Sequence, residues 1–285
     1  MNNQINDWHC LNGNIPFRMT NDYLFRALMQ ENNDVLSALI ASLLGWKKSD
    51  ITSATIENPI MLGSGMEQKD FILDVHVLIN NSKTLNLEMQ VIDEHNWPER
   101  SLAYLCRVFD DINKDQKYQD MKSAHHIGII SFDFSPVDSE FYATYQLLNV
   151  KNHKKYTDKF TLSVLSLSCI DKATVRDKES HLDEWAAMYR AKTWEDLRML
   201  AQKNSDIDNA VTTMHTLSNE KLIKEQMRAR EEYYRLHRSI DSLIEDQKKA
   251  LADKDKALAD QKKELAEKDK QIAELQAQLA SLTQK

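Results

Sequence analysis

Strand-like and helix-like segments alternate over the first two thirds of the chain, then give way to helices and finally to a heptad repeat. This order predicts an α/β fold with a helical extension and a C-terminal coiled coil. Three observations carry it. Residues 70–91, DFILDVHVLINNSKTLNLEMQV, alternate apolar and polar with period two on either side of a polar turn, the signature of a β-hairpin. The 285 residues include only five glycines and four prolines, too few turn-formers for a many-stranded sandwich. Ile244, Leu251, Leu258, Leu265, Ile272 and Leu279 recur every seventh residue, as a coiled coil requires.

The hairpin sorts its side chains by face. Phe71, Leu73, Val75, Val77 and Ile79 share one face of the first strand; Asp74 and His76 share the other. On the second strand Leu87 and Met89 oppose Glu88 and Gln90. A loop of Asn80 to Ser82 pairs Ile79 with Lys83, and so Asp74 with Glu88 and Ile72 with Gln90. Directly opposed side chains have β-carbons roughly 4.5–5.5 Å apart, whereas a one-residue slip would send the two acids to opposite faces. Two carboxylates brought together in an apolar setting raise a pKa or bind a cation. Oxygen ligands of this kind suit Mg²⁺.

The hydrophobic content of 42% allows a sizeable core. Cys10, Cys106 and Cys169 are widely spaced and odd in number, which is neither a disulfide framework nor a zinc pattern. A reducing, cytoplasmic setting is expected. MNNQINDWHC has no basic start and no apolar run, unlike a signal peptide, and no stretch of about eighteen apolar residues predicts a membrane span. The net charge of −7 argues against indiscriminate DNA binding, which rests on phosphate neutralisation, and leaves local basic patches to do that work.

In chain order, residues 1–15 are polar and expected to be loosely held. Thr20 or Asn21 caps a helix with Tyr23, Leu24, Ala27 and Leu28 as its apolar stripe, and Asp22 in the first turn complements the helix dipole. A second helix runs from Asp34 to Leu44 and stops at Gly45. Residues 51–62 are extended, and Gly63-Ser64-Gly65 breaks the chain before the hairpin. After Val91, Asp93, Glu94 and His95 are polar and near the site if the strand ends there, and His95 reads as a general base or, more simply, as a solvated loop histidine. Pro98 opens a helix on which Leu102, Leu105, Cys106, Phe109 and Ile112 keep helical spacing, with Arg100 and Tyr104 one turn apart. Arg100 suits either a phosphate contact or a surface salt bridge. His125–Phe134, Phe141–Leu148 and Phe160–Cys169 read as strands. His125 and His126, as neighbours on a strand, face opposite ways and are not a metal pair. Lys151, His153, Lys154 and Lys155 form a basic loop. From His181, Trp185, Met188, Trp194, Leu197 and Leu200 mark helix packing, and Asp206–Leu217 and Glu220–Leu236 continue it. The tail's second core position is weak: Lys254, Gln261 and Lys268 precede Leu275 and Leu282.

An Asp on one strand followed by Glu-x-Gln on the next resembles the PD-(D/E)XK nuclease superfamily, most closely its Rpn branch of recombination-promoting, transposase-type nucleases. FRMTNDYLFRALM (17–29), ALIASLLG (38–45), PERSLAYLCRVFDDINKDQKYQDM (98–121) and HHIGIISFDF (125–134) extend the likeness, in order, over residues 15–230. The resemblance implies a restriction-endonuclease-like mixed β-sheet flanked by helices. It implies a metal-dependent DNA endonuclease with Mg²⁺, or Mn²⁺ in its place, held by Asp74, Glu88 and the Met89 backbone carbonyl. Gln90 would position the attacking water, and Asp22, Arg100 and Tyr104 would be accessory. Gln90 stands where the superfamily name has Lys, an uncharged residue for a charged one. The alternative is an inactive nuclease fold that serves as a DNA-binding or assembly module. The expected domains are a flexible 1–15, a nuclease-like 16–175, a helical 180–239 and a coiled coil at 240–285, the last making a homo-oligomer.

Overall fold

A computed structural model describes residues 7–58, 75–110, 117–133 and 139–283. Asp74, the start of its strand and the Gly63-Ser64-Gly65 break lie outside the described residues, as do residues 111–116; the helix at Pro98 runs to Phe109, and Tyr118–Asp120, near the Met121 end of that stretch, form a separate 3-10 helix. One six-stranded mixed sheet forms the centre: β1 (Ala54–Ile56), β2 (Val75–Ile79), β3 (Lys83–Gln90), β4 (Ser123–Ile130), β5 (Tyr142–Gln146) and β6 (Phe160–Ser166). Their spatial order is β1-β2-β3-β4-β6-β5. The β3–β4 and β4–β6 pairs are parallel and the others antiparallel. The hairpin takes the register expected from its loop, Ile79 opposite Lys83 and Val75 opposite Leu87. Asn80 and Asn81 hold positive φ in that loop, a conformation asparagine tolerates better than most residues.

The two faces of the sheet are covered differently. Val75, Val77, Ile79, Leu85, Leu87, Met89, Ile127, Ile129 and Leu165 point into the main core. There they meet α1 (Asp22–Glu31), α2 (Asn33–Leu44), α5 (Leu182–Arg190), α6 (Trp194–Ala201) and α7 (Ser205–Asn219). Each fully buried Val or Leu contributes roughly 1.5–3 kcal/mol, so this layer dominates stability. The Trp and Met stripe of the C-terminal helices belongs to the same core: Trp185, Met188, Trp194 and Leu197 are buried. Local signals set the helix ends. Asn21 Oδ1 accepts from Leu24 N (3.1 Å) and Asn32 Oδ1 from Val35 N (3.1 Å), while Gly45 ends α2 in the left-handed conformation. α4 is a short helix, Val175–Glu179.

Residues 7–15 are not loosely held. Trp8 is 2% exposed, its indole donates to Thr212 Oγ1 at 2.9 Å, and Ile15 N donates to Lys192 O at 2.9 Å. A single large apolar side chain in a polar stretch is enough to dock it. β4 and β6 end at Ile130 and Ser166, earlier than the expected Phe134 and Cys169, and a 3-10 helix over Leu167–Lys172 follows β6.

The second face carries one helix, α3 (Trp97–Phe109), with Pro98 in its first turn. Trp97 packs with Ile130 and Val164, and Leu105 and Val108 with Ala124. Gly128 makes this approach available: a β-carbon there would lie 2.1 Å from Trp97 Cζ2. β3 pairs Glu88 with Gly128, so the indole rests on the sheet beside the acid.

The chain divides into two compact units, 1–234 and 235–285. The last helix, α8, spans Lys221–Thr283. In the first unit its Ile223, Met227 and Tyr234 are buried. In the second, Leu251, Leu258, Leu265 and Ile272 are more than half exposed, a heptad stripe on an otherwise polar helix. Among the described residues no helix is long and apolar enough to cross a membrane.

Gly128→Ala should force Trp97 off the sheet and lower stability by about 1–3 kcal/mol, the usual range for overpacking. Urea unfolding followed by tryptophan fluorescence measures this; an unchanged midpoint would show that the indole has room to move.

Candidate active site

The polar groups of the second face converge under α3. Strand alternation turns Asn86, Glu88 and Gln90 to this side of β3, and the parallel register sets His126 beside Asn86 and Gly128 beside Glu88. Asn86 and His126 are fully buried and Glu88 is 5% exposed. A carboxylate so far out of water needs a cation or several donors. Arg100, one turn into α3, supplies both: Nε lies 2.9 Å and Nη2 2.8 Å from Glu88 Oε1. Burial, the largest single influence, pushes the Arg100 guanidinium down; the charge and hydrogen bond of Glu88, with Tyr104 and Glu94, together outweigh it and hold the group above its ordinary value. Glu94 adds a second carboxylate 3.6 Å from Arg100 Nη1.

An aromatic layer closes this cluster. Arg100 lies over the Tyr104 ring at 5.2 Å, and Tyr104 stacks on His126 with centroids 5.8 Å apart. Trp97 flanks the same imidazole at 5.9 Å. The Asn86 amide donates to His126 Nδ1 at 2.9 Å. The other ring nitrogen, Nε2, lies 3.7 Å from Glu88 Oε2. One carboxylate oxygen thus meets a permanent cation and the other faces an imidazole.

Gln90 ends β3. Its Nε2 donates to Ile92 O at 3.0 Å, which leaves Oε1 to accept from water. Its backbone carbonyl accepts from Ser131 N at 3.2 Å, on the β4 side. By alternation the Met89 carbonyl turns to the β2 side, toward a strand whose preceding residues, Asp74 included, lie outside the described residues. Arg26 ties α1 to β2 through Asn58. This fully buried guanidinium bonds Asn58 through both its side-chain and main-chain oxygens, and Asn58 Oδ1 accepts from His76 N at 2.9 Å.

Asp22 sits in a neighbouring cluster built by α8. Arg230 binds its carboxylate with Nε (2.8 Å) and Nη2, and Asp22 N donates to Tyr234 Oη at 3.2 Å. Tyr233 joins the two groups. Burial raises its phenol above the ordinary value, the Glu94 carboxylate adds to this, and Arg230, Arg100 and Asp22 all act on it.

Several expected residues are thus brought together and others are not. Glu88, Arg100 and Tyr104 are in one cluster with Gln90 beside it on the strand, and Asp22 is in the adjacent one. Arg100 is a partner of a buried acid, not a surface salt bridge. His95 is exposed and bonded to Asp93 at 3.1 Å. His125 faces the main core instead, bonded to Ser163 Oγ at 2.8 Å and pushed down to about 3 by burial. Asn86, His126, Arg230 and Tyr233 were not anticipated, whereas Glu94 stands by the site as its position just after the strand suggested. His126 alone had a usable signal: the alternation that separates it from His125 also sets it on the face opposite the core.

The donor types suit a hard divalent cation. Glu88 offers a carboxylate and the adjacent Met89 a main-chain carbonyl on one strand. Among the described residues no group of three His, Cys, Asp or Glu side chains gathers as a metal centre. Asp74, the other expected ligand, lies outside the described residues.

Arg100→Met should cost about 3 kcal/mol of stability or more, because it leaves Glu88 buried without its cation. Adding Glu88→Gln should restore part of the loss. A double-mutant cycle by urea unfolding tests this; additive effects would mean that the pair is not coupled.

A family model described as PD-(D/E)XK nuclease family transposase matches residues 19–246. Comparison with curated proteins and with solved structures gives no match. The match takes in the sheet, α3, the Asp22 cluster and the start of α8, so this chain belongs to the PD-(D/E)XK nuclease family transposases.

Proposed function

We propose that the chain is a Mg²⁺-dependent endonuclease, with Mn²⁺ able to substitute, that hydrolyses phosphodiester bonds of DNA. The observation that carries this reading is Glu88, an acid buried on the sheet face beneath α3, one residue from a main-chain carbonyl and two from Gln90. Family membership supports nuclease chemistry; the metal, the substrate and the residue roles are this proposal's own.

Asp74, Glu88 and the Met89 carbonyl would hold the ion. When bound, it lowers the pKa of a water and offsets charge on the phosphate. Gln90, anchored through Nε2 to Ile92 O, orients the attacking water by accepting from it. Gln90 carries no charge, so neutralising the phosphate falls to the ion and to Arg100. Arg100 also holds Glu88 in place, and Tyr104 and Trp97 shield that pair from solvent. Asp22, held by Arg230, is a second acid at the margin of the site. The heptad stripe of residues 240–285 brings two copies together, so that two sites can act on the two strands of one duplex. Its Lys and Gln at alternate core positions keep that association weak, since each absent Leu-sized contact forgoes roughly 1.5–3 kcal/mol.

Purified protein should nick and linearise plasmid with Mg²⁺ and not with EDTA. Asp74→Ala and Glu88→Gln should each abolish cutting with the circular dichroism unchanged. A chain ending at Ser239 should lose linearisation more than nicking. Cutting that survives in either acid variant would refute the site.

A further inference from the structure

A groove of about 880 Å³ opens beside the site. One wall is the segment Asn14–Thr20, which leads directly into Asp22. The opposite wall is Ser131 and Leu167–Ser168, the residues that follow β4 and β6. Ser131 N is the donor to Gln90 O at 3.2 Å, so this wall begins where the catalytic strand ends. The turn between α5 and α6 closes the groove with Arg190 and Lys192.

That turn is fixed in place. Ile15 N donates to Lys192 O at 2.9 Å and Trp194 N to Gly13 O at 3.0 Å, and Asn14 bridges to Thr193 as a short antiparallel pair. The two cations are therefore set against the groove by main-chain bonds and not by a flexible loop. Arg190 and Lys192 are exposed. Among the described residues neither makes an ion pair, whereas Arg18 is bound to Glu231 at 3.0 Å. The lining holds Arg18, Arg190 and Lys192 against the single acid Glu231. In a chain of net charge −7, this is a local reversal of sign next to the proposed reaction centre.

We infer that this groove carries the phosphate backbone of the DNA substrate beyond the scissile bond, with Arg190 and Lys192 as phosphate contacts. The inference rests on the proposed nuclease reading for the identity of the substrate. Phosphate contacts carry no sequence information. They set register and supply affinity through released counterions. Paired cations behind main-chain braces suit that positioning role. Arg18 lines the same groove, and its bond to Glu231 keeps it from adding to the free positive charge.

The test uses the full chain, EDTA to prevent cutting, and a short fluorescein-labelled DNA duplex followed by anisotropy over a range of salt concentrations. Each lost phosphate contact lowers the slope of log K against log salt by about 0.9, so Arg190→Gln with Lys192→Gln should lower it by about 1.8 and weaken binding. Lys151→Gln with Lys154→Gln, an equal charge change in the exposed loop at 149–155, should leave slope and affinity near those of the unaltered chain. The proposal is overturned if the groove pair binds like the unaltered chain, if the loop pair loses as much, or if the unaltered chain binds no duplex. Tighter binding of an RNA duplex of the same sequence would overturn the DNA assignment. The nuclease reading fails separately: a chain that shows this salt behaviour and never cuts with Mg²⁺ keeps the groove and loses the enzyme.

Discussion

A carboxylate on a central strand, out of water, needs a positive charge or several donors, and Arg100 meets that need for Glu88. Much of the second sheet face follows from it. α3 must start close enough for Arg100 to reach the acid, which its first-turn proline and the absence of a side chain at Gly128 permit. Trp97 and Tyr104, on either side of Arg100 along the helix, then cover the pair and grip His126 between them. The opposite face is filled mainly by an apolar core, in which His125 bonds to Ser163.

The same pairing bears on chemistry. Oε1 of Glu88 is committed to Arg100, while Oε2 faces the imidazole Nε2 at 3.7 Å. An incoming cation would meet an acid already oriented. The acid of the neighbouring cluster, Asp22, has its charge balanced by Arg230 from a helix about two hundred residues away. Tyr233, subject to both clusters, makes α8 a part of the site's electrostatics as well as of its packing.

The hairpin was legible because period-two alternation and a short loop together leave one register, and the observed pairs from Val75 to Ile79 follow it. The α1 and α2 ends were legible because Asn21 and Gly45 act locally. Arg100 was legible as a residue of interest but not as the partner of Glu88, since which face α3 covers depends on the whole sheet order. Arg230 and Tyr233 carry no local mark at all: a charged residue in a polar helix becomes part of a site only when that helix docks on α1. Trp8 shows the converse, a lone aromatic whose burial outweighs a polar neighbourhood. The basic groove escaped notice because it joins residues near position 18 to others near position 190, and composition averages over both.

The central claim is that Glu88 is an acid that holds a divalent cation. Calorimetric titration of the full chain with Mg²⁺, beside Glu88→Gln checked for an unchanged circular dichroism spectrum, addresses it without reference to any substrate. Binding by the unaltered chain that disappears in Glu88→Gln is the predicted result. Equal binding by both, or none by the unaltered chain, would contradict it.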